Sequence, residues 1–390
     1  MSRHVLSYTQ HLEGLGHFVR SVRIAAGLEQ AGLTIDLVMG GVPVKGMVTG
    51  GIHVIELPPL KAGPGGFSDL RDGAGERVGP AYKNKRRDQL LGLLESSSPD
   101  AIMIEAFPFG RRQMRFELIP LLDAARKRTP RPLIICSVRD ILQENKSPDR
   151  VEETLQCLRT YFDLVLIHGD PDFADLALTF PRAEEISGLI RYTGIVAGPP
   201  PPAAQSDQAY KVVVSAGGGA TGENILKCAV KARPKTRFEN DTWCVVTGPY
   251  LREGAVEHLK SDAMSGLEVH RFRNDLPSLI AGAAVSVSRC GYNTAVDIFQ
   301  TGTRAVVIPN ATAGETEQTR RANLLAEMHA AIVIDESELD PERLAAAIDQ
   351  AAVMPARGAA PNLNGVTISA RIVLKALNAH CAGEPHMMLD

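Results

Sequence analysis

The residue with the clearest capacity for chemistry is His17, in the run Gly14-Leu15-Gly16-His17-Phe18-Val19-Arg20. An imidazole titrates near neutrality, so it can take a proton from a hydroxyl. The run lies between a strand pattern and a helical one, and a helix start should lower the imidazole pKa and keep the ring neutral. A second concentration runs from Ala283 to Leu325. There an apolar stretch stops at Ser288-Arg289-Cys290-Gly291, and a helical pattern opens at Asn293-Thr294. Gly291 lets a backbone approach a ligand closely. Asn293 and Thr294 can cap the helix, whose free amides attract phosphate. Asp297 follows within the first turn or so, and Glu317-Gln318 open the next helix where a second polar pair could meet the same ligand. A third run, Ser215-Ala216-Gly217-Gly218-Gly219-Ala220-Thr221-Gly222, lacks side chains that would hold a diphosphate off the amides. It is no P-loop, because the Gly-Lys-Ser/Thr ending is missing. Together these residues outline a nucleotide-sugar pocket.

These residues need a scaffold of strands that end in loops. Arg3 to Tyr8 reads as a first strand, a helix follows from about Phe18 to Ala31, and Ile35 to Met39 makes a second strand. Further strands are expected at Asp100 to Ala106, Pro132 to Val138, Asp163 to Ile167, Lys211 to Ser215, Trp243 to Thr247, Glu268 to Phe272 and Arg304 to Ile308. Strand, turn and helix in alternation make a parallel sheet with ligand loops at its strand ends. Thr247-Gly248 and Phe272-Arg273 fall at such ends. So do Glu105 and Arg139-Asp140, and Arg111, Arg112 and Arg115 come just after one. These arginines could clamp an acidic acceptor or pair with Glu117 and Asp123. Residues 40 to 79 are rich in Gly and Pro and read as a long loop, functional or mobile. Lys83, Lys85, Arg86 and Arg87 read as a solvated helix face, with an anionic acceptor or acidic lipid headgroups as the alternative. Asp170-Pro171-Asp172 spells a metal-binding DxD, but the central proline favours a turn and cap. His168, at a strand end, lines the site or serves the structure.

The 390 residues exceed one ordinary core and suit two domains of about 150–200 residues. The proline run Pro199 to Pro202 marks a stiff linker, so the divisions are 1–200, 201–365 and a closing helix with its tail, 366–390. A net charge of −3 carries no polyanion signal and argues against nucleic acid as a partner. Six cysteines have neither metal-ligand spacing nor the density of a disulfide scaffold. The start MSRHVLSY is no signal peptide, and no apolar run approaches the ~20 residues of a membrane span. A cytoplasmic location is expected, with peripheral contact at the inner membrane face left open.

The segment from Ala283 to Leu325 resembles the donor-binding segment of MurG-type glycosyltransferases, family 28 and its relatives. Arg289-Cys290-Gly291 matches their Arg-Ser-Gly turn, with Cys for Ser. The resemblance puts Asp297 on the ribose-binding acid and Glu317-Gln318 on the sugar-binding pair, with Arg321-Ala322 near the place of an Asn-Ala dipeptide. Gly14 to Arg20 resembles the GxGHxxR signature of these transferases and of nucleotide-sugar hydrolases. Its histidine there is a general base or substrate ligand. The glycine loop from Ser215 matches theirs, and Phe272 and Arg273 fall where the relatives contact the base.

The resemblance implies an α/β chain of GT-B fold, two doubly wound Rossmann-like domains facing across a cleft. The last helix would cross back onto the N-terminal domain. The C-terminal domain would hold a nucleotide-diphosphate sugar, with UDP expected, and the N-terminal domain a carbohydrate or lipid-linked acceptor. His17 would deprotonate the acceptor hydroxyl, which inverts the anomeric carbon in line. Amides, helped by Arg289, would stabilise the leaving diphosphate, so no metal or cofactor is required. The alternatives are a nucleotide-sugar hydrolase, a less favoured epimerase, and a non-catalytic donor-binding subunit. A NAD-dependent dehydrogenase is disfavoured, because the first turn lacks GxGxxG.

Overall fold

The computed structural model describes residues 2–12, 14, 16–43, 49–144, 147–202, 210–217, 222–248, 251–262, 265–311, 314–355 and 359–383. The chain divides into two units, Met1–Val196 with Asn364–Asp390, and Ala197–Leu363. Unit 1 contains β1 (His4–Thr9), α1 (Gly16–Gln30), β2 (Thr34–Met39), β3 (His53–Glu56), β4 (Lys61–Gly63), β5 (Gly66–Arg71), α2 (Pro80–Ser97), β6 (Ala101–Glu105), α3 (Arg115–Arg126), β7 (Leu133–Arg139), α4 (Pro148–Tyr161), β8 (Leu164–His168) and β9 (Ile190–Tyr192). Its main sheet runs β3-β2-β1-β6-β7-β8-β9, and each pair of neighbours is parallel.

Unit 2 contains β10 (Val212–Ser215), α5 (Glu223–Ala232), β11 (Trp243–Val246), α6 (Glu253–Ser261), β12 (Leu267–His270), α7 (Leu276–Gly282), β13 (Val285–Ser288), α8 (Tyr292–Thr301), β14 (Arg304–Val307), α9 (Glu317–Glu327), β15 (Ala331–Val333) and α10 (Pro341–Ala352). Its parallel sheet runs β12-β11-β10-β13-β14-β15, the doubly wound Rossmann order. In both sheets the chain starts in the middle, winds to one side, then returns to build the other. Strand order therefore reverses between β1 and β6 and between β10 and β13, where such folds place ligands beyond the carboxyl ends of the strands.

Side chains alternate across these strands, so both faces of each sheet are covered. Leu6 and Tyr8 of β1 join one core, with Leu90, Leu118 and Leu158. Val5 joins the other, with Ile24 and Leu28 of α1. That second core also takes Val373, Ala376 and Leu377 of α11 (Gly365–Ala382), which returns to unit 1. Two glycines allow its close docking. A Cβ on Gly27 would lie 2.4 Å from Val366 Cγ1, and one on Gly365 would lie 2.6 Å from the Gly194 carbonyl.

Two expectations need correction. The stretch from 40 to 79 is not one long loop: β3 extends the main sheet, and β4 and β5 form an antiparallel hairpin. The β-branched Val54 and Ile55, both half-buried, suit a strand once β2 lies beside it. Nor do the four basic residues of α2 share a solvated face, because Arg86 is fully buried. Its guanidinium grips Glu117 through Nε (2.8 Å) and Nη2 (2.7 Å), donates to Gln10 Oε1 (2.9 Å), and reaches the carbonyls of Gly40 and Pro58. Tyr8 donates to the same Glu117, at 2.5 Å. Glu117 is thus taken by Arg86 and Tyr8, whereas Arg112 and Arg115 pair with Glu153, and Asp123 accepts from Tyr161.

Candidate functional site

In unit 1 the central feature is a histidine on a carboxylate. Helix α1 begins at Gly16, two residues earlier than expected, after a turn in which Gly14 has φ +65°. His17 is therefore the second residue of the helix, beside the end of β6. Its Nδ1 is 2.7 Å from Glu105 Oε1, and the side chain is only 15% exposed. A neutral ring that donates from Nδ1 to a carboxylate keeps its lone pair on Nε2. Burial is the main cause that lowers the His17 pKa from 6.5 to about 4; Glu105 pulls the other way, and the Arg111 charge adds to the lowering. Burial, rather than the helix start, leads the lowering that keeps the ring neutral.

Glu105 is almost fully buried, and Arg20, one turn after His17 on α1, donates to the same Oε1. Burial alone would raise the Glu105 pKa, yet His17 and Arg20 outweigh it and hold the carboxyl well below its ordinary value. Glu105 Oε2 is buried with no hydrogen-bond partner. Glu105, placed by its strand end on the acceptor side, is thus the partner of His17. Arg111 is half-buried in a left-handed backbone (φ +58°), and its Nε donates to the Gln10 carbonyl at 2.7 Å. Burial lowers its pKa, and the Arg139 charge adds to this. Arg139, half-buried at the end of β7, also lowers the His17 pKa through its charge. Asp140 is 1% exposed, against Gly169, and accepts the Ile141 amide at 2.7 Å, which braces the turn after β7.

His168 is structural. It is fully buried, with Ser137 Oγ 2.8 Å from Nε2 and Thr193 Oγ1 3.0 Å from Nδ1. Burial, followed by the Arg20 charge, lowers its pKa from 6.5 to about 3. Folding therefore selects the neutral ring, and its stabilisation is complete above pH 6.5 and is lost as the pH falls towards 3. At pH 5 the loss is about 2 kcal/mol. In urea unfolding, His168→Gln should shrink the stability difference between pH 7 and pH 5 by about that amount. An unchanged difference would contradict the buried neutral ring. In Asp170-Pro171-Asp172 the Asp172 amide donates to Asp170 Oδ1 at 3.0 Å, a turn as expected, though Asp175 is the residue that caps the short helix beyond. Among the described residues no group of three or more His, Cys, Asp or Glu could hold a metal ion.

In unit 2 the strand ends carry glycine turns. Ser215 closes β10, Gly217 has φ +77° and Gly248 has φ +82°. A Cβ on Gly248 would lie 2.4 Å from the Gly217 carbonyl, so the two turns abut. Gly218 and Gly219 lie outside the described residues. Thr247 is fully buried, with its amide bonded to the His270 carbonyl at 2.9 Å. Phe272 is 52% exposed, whereas Arg273 is held by Asp275 at 2.7 Å. Gly291, not Asn293 or Thr294, is the cap residue of α8, with no side-chain cap bond. Asn293 and Thr294 lie within the first turn, and Asn293 Oδ1 is buried without a partner. Asp297 is in the second turn, half-buried and one turn beyond Asn293 on the same face.

Three other residues that the resemblance singled out carry contacts within unit 2. Arg289 is 5% exposed and neutralised by Glu336 at 2.5 Å, with the Ile308 and Pro309 carbonyls at 3.3 and 3.4 Å. Its charge ties loops together. Glu317 is 4% exposed and paired with Arg321 at 2.7 Å. Gln318 Oε1 accepts the amides of Cys290 (3.2 Å) and Asn310 (3.1 Å). Burial pushes the Cys290 thiol up to about 12, which leaves it an inert core group. Sequence reasoning carried Arg20 and Arg321 only as motif positions, without their carboxylate partners, and missed Glu336.

Residues 212–369 match the model of the glycosyltransferase family 28 C-terminal domain. A UDP-N-acetylglucosamine--N-acetylmuramyl-(pentapeptide) pyrophosphoryl-undecaprenol N-acetylglucosamine transferase of Bacillus pumilus is 27% identical over 173 residues, 44% of this chain and 46% of that protein. The chain spans about half the length of the curated relatives it matches. Among solved structures, the calicheamicin glycosyltransferase CalG4 superposes with a TM-score of 0.60 at 16% identity, over 98% of this chain and 96% of that one. MurG of Acinetobacter baumannii does so with a TM-score of 0.57 at 15% identity, over 96% and 99%. The chain has the α/β fold of GT-B glycosyltransferases, and its residues 212–369 are similar to the glycosyltransferase family 28 C-terminal domain.

Proposed function

We propose that the chain transfers a sugar from a UDP-sugar to an acceptor hydroxyl, with inversion and without a metal. The observation that carries this reading is the His17–Glu105 pair, which leaves a neutral Nε2 lone pair in unit 1, in a chain whose residues 212–369 are similar to the family 28 C-terminal domain. His17 Nε2 takes the acceptor proton as the oxygen bonds to the anomeric carbon, and the bond from that carbon to the diphosphate oxygen breaks. The diphosphate leaves with the electron pair, and the amides at the start of α8 stabilise its charge. Phe272, exposed beyond β12, suits contact with the base, and Asp297 suits the ribose. The relatives' name specifies UDP-N-acetylglucosamine as donor and a pyrophosphoryl lipid as acceptor. An anionic acceptor of that kind suits unit 1, where Arg20, Arg111 and Arg139 outnumber Glu105. No described helix is long and apolar enough to cross a membrane, so a lipid-linked acceptor would be met at a membrane surface.

Incubation with UDP-N-acetylglucosamine, with and without a pyrophosphoryl-lipid acceptor, tests the reading. UDP release should depend on the acceptor and persist in EDTA. Fast release without acceptor would instead make the chain a hydrolase, with water as nucleophile at the same base. Asp297→Ala should weaken UDP binding by roughly 1.5–3 kcal/mol, the loss of a charge-assisted hydrogen bond to ribose. Unchanged affinity by calorimetry would remove Asp297 from the ribose.

A further inference from the structure

The pair that the family resemblance assigns to the donor sugar is occupied inside unit 2. Gln318 Oε1 accepts two backbone amides, those of Cys290 and Asn310, which uses both of its lone pairs. Its Nε2 donates to Glu315 Oε2 at 3.3 Å, and Glu315 Oε1 accepts the Gln318 amide, also at 3.3 Å. One turn on, Arg321 Nη1 donates to the Cys290 carbonyl at 3.3 Å and to Glu317 Oε1 at 2.7 Å. The Arg321 guanidinium carbon lies 5.8 Å from the Tyr292 ring centroid. Both polar groups of the Cys290 backbone are therefore held by side chains from the first turns of α9. Cys290 immediately precedes Gly291, the cap residue of α8.

We propose that Gln318 and Arg321 are positioning residues for the diphosphate, a clamp from α9 that fixes where the free amides of α8 point. This rests on the reading of unit 2 as a nucleotide-sugar site and reassigns Gln318 within it. A turn held from both sides need not reorganise as charge develops on the leaving group, which is where preorganised amides act most strongly. Loosening the turn weakens whatever binds through the diphosphate, whether or not a sugar is attached. A residue that touched only the sugar would spare UDP.

The test is calorimetric titration of wild type and Gln318→Met with UDP and with UDP-N-acetylglucosamine. The clamp predicts an affinity loss of about tenfold that is equal for both ligands. A loss confined to UDP-N-acetylglucosamine, or no loss for either, overturns it. Amide exchange of ligand-free wild type, followed by NMR, decides the matter without a variant. The Cys290 amide should be protected, and free exchange there overturns the clamp even if Gln318→Met fails to fold. Wild type that binds no UDP would sink the nucleotide-sugar reading, while the Cys290 exchange would still settle the clamp.

Discussion

His17→Ala should lower turnover of UDP-N-acetylglucosamine by about 10²–10⁴-fold, the usual contribution of a positioned general base. UDP affinity should be almost unchanged, because the imidazole belongs to unit 1, while nearly all the residues that match the family 28 domain lie in unit 2. The split follows from the proposed role, in which His17 acts on the acceptor proton and unit 2 holds the nucleotide. Fold loss is not expected to obscure the result: the ring is partly exposed and does not belong to either core of unit 1. Near-normal turnover, measured with UDP binding on the same preparation, would reassign the base.

Glu105→Gln should do more damage with fewer atoms changed. A carboxylate can only accept, so it fixes the proton of His17 on Nδ1 and the lone pair on Nε2. A carboxamide can donate instead, which would put the lone pair on Nδ1 and leave Nε2 protonated. Turnover should then fall by about 10²–10⁴-fold with the imidazole still in place. The substitution also leaves Arg20, 1% exposed, without its carboxylate. Removing one partner of a buried ion pair costs about 3–5 kcal/mol, so the unfolding transition of unit 1 in urea should come earlier. Glu105→Asp keeps the charge and should recover most of the stability. A Gln variant as active and as stable as wild type would mean that the pair does not exist in solution.

Much of the scaffold was legible because buried parallel strands announce themselves as short apolar runs that stop at glycine or a polar turn. Val285–Ser288 and Arg304–Val307 are of this kind, and so is the turn at Gly291. The His17–Glu105 contact was legible only in halves. Each residue marked a strand or helix end, but their meeting depends on β1 lying beside β6, across 88 positions of sequence. Arg86 misled because its neighbours are an exposed Lys85 and a half-buried Arg87, and its carboxylate lies on another helix. The string of basic residues carries no mark of the one that turns inward. Gln318 was found at the expected place, but its bonds to the Cys290 and Asn310 amides were not legible, since motif position fixes where a side chain starts and not which amides it reaches. Asn293 and Thr294 failed as caps because the cap falls on Gly291, two residues before Asn293 and three before Thr294.

The most direct test of the account is the pH dependence of kcat/KM for sugar transfer by wild type. A buried imidazole with its pKa lowered from 6.5 to about 4 stays neutral through mildly acidic solution. The base should therefore remain competent from neutrality down to about pH 5, and activity should fall only as the pH approaches 4. An acid limb centred near 6.5, the value of an ordinary exposed histidine, would show that the ring is not held as described.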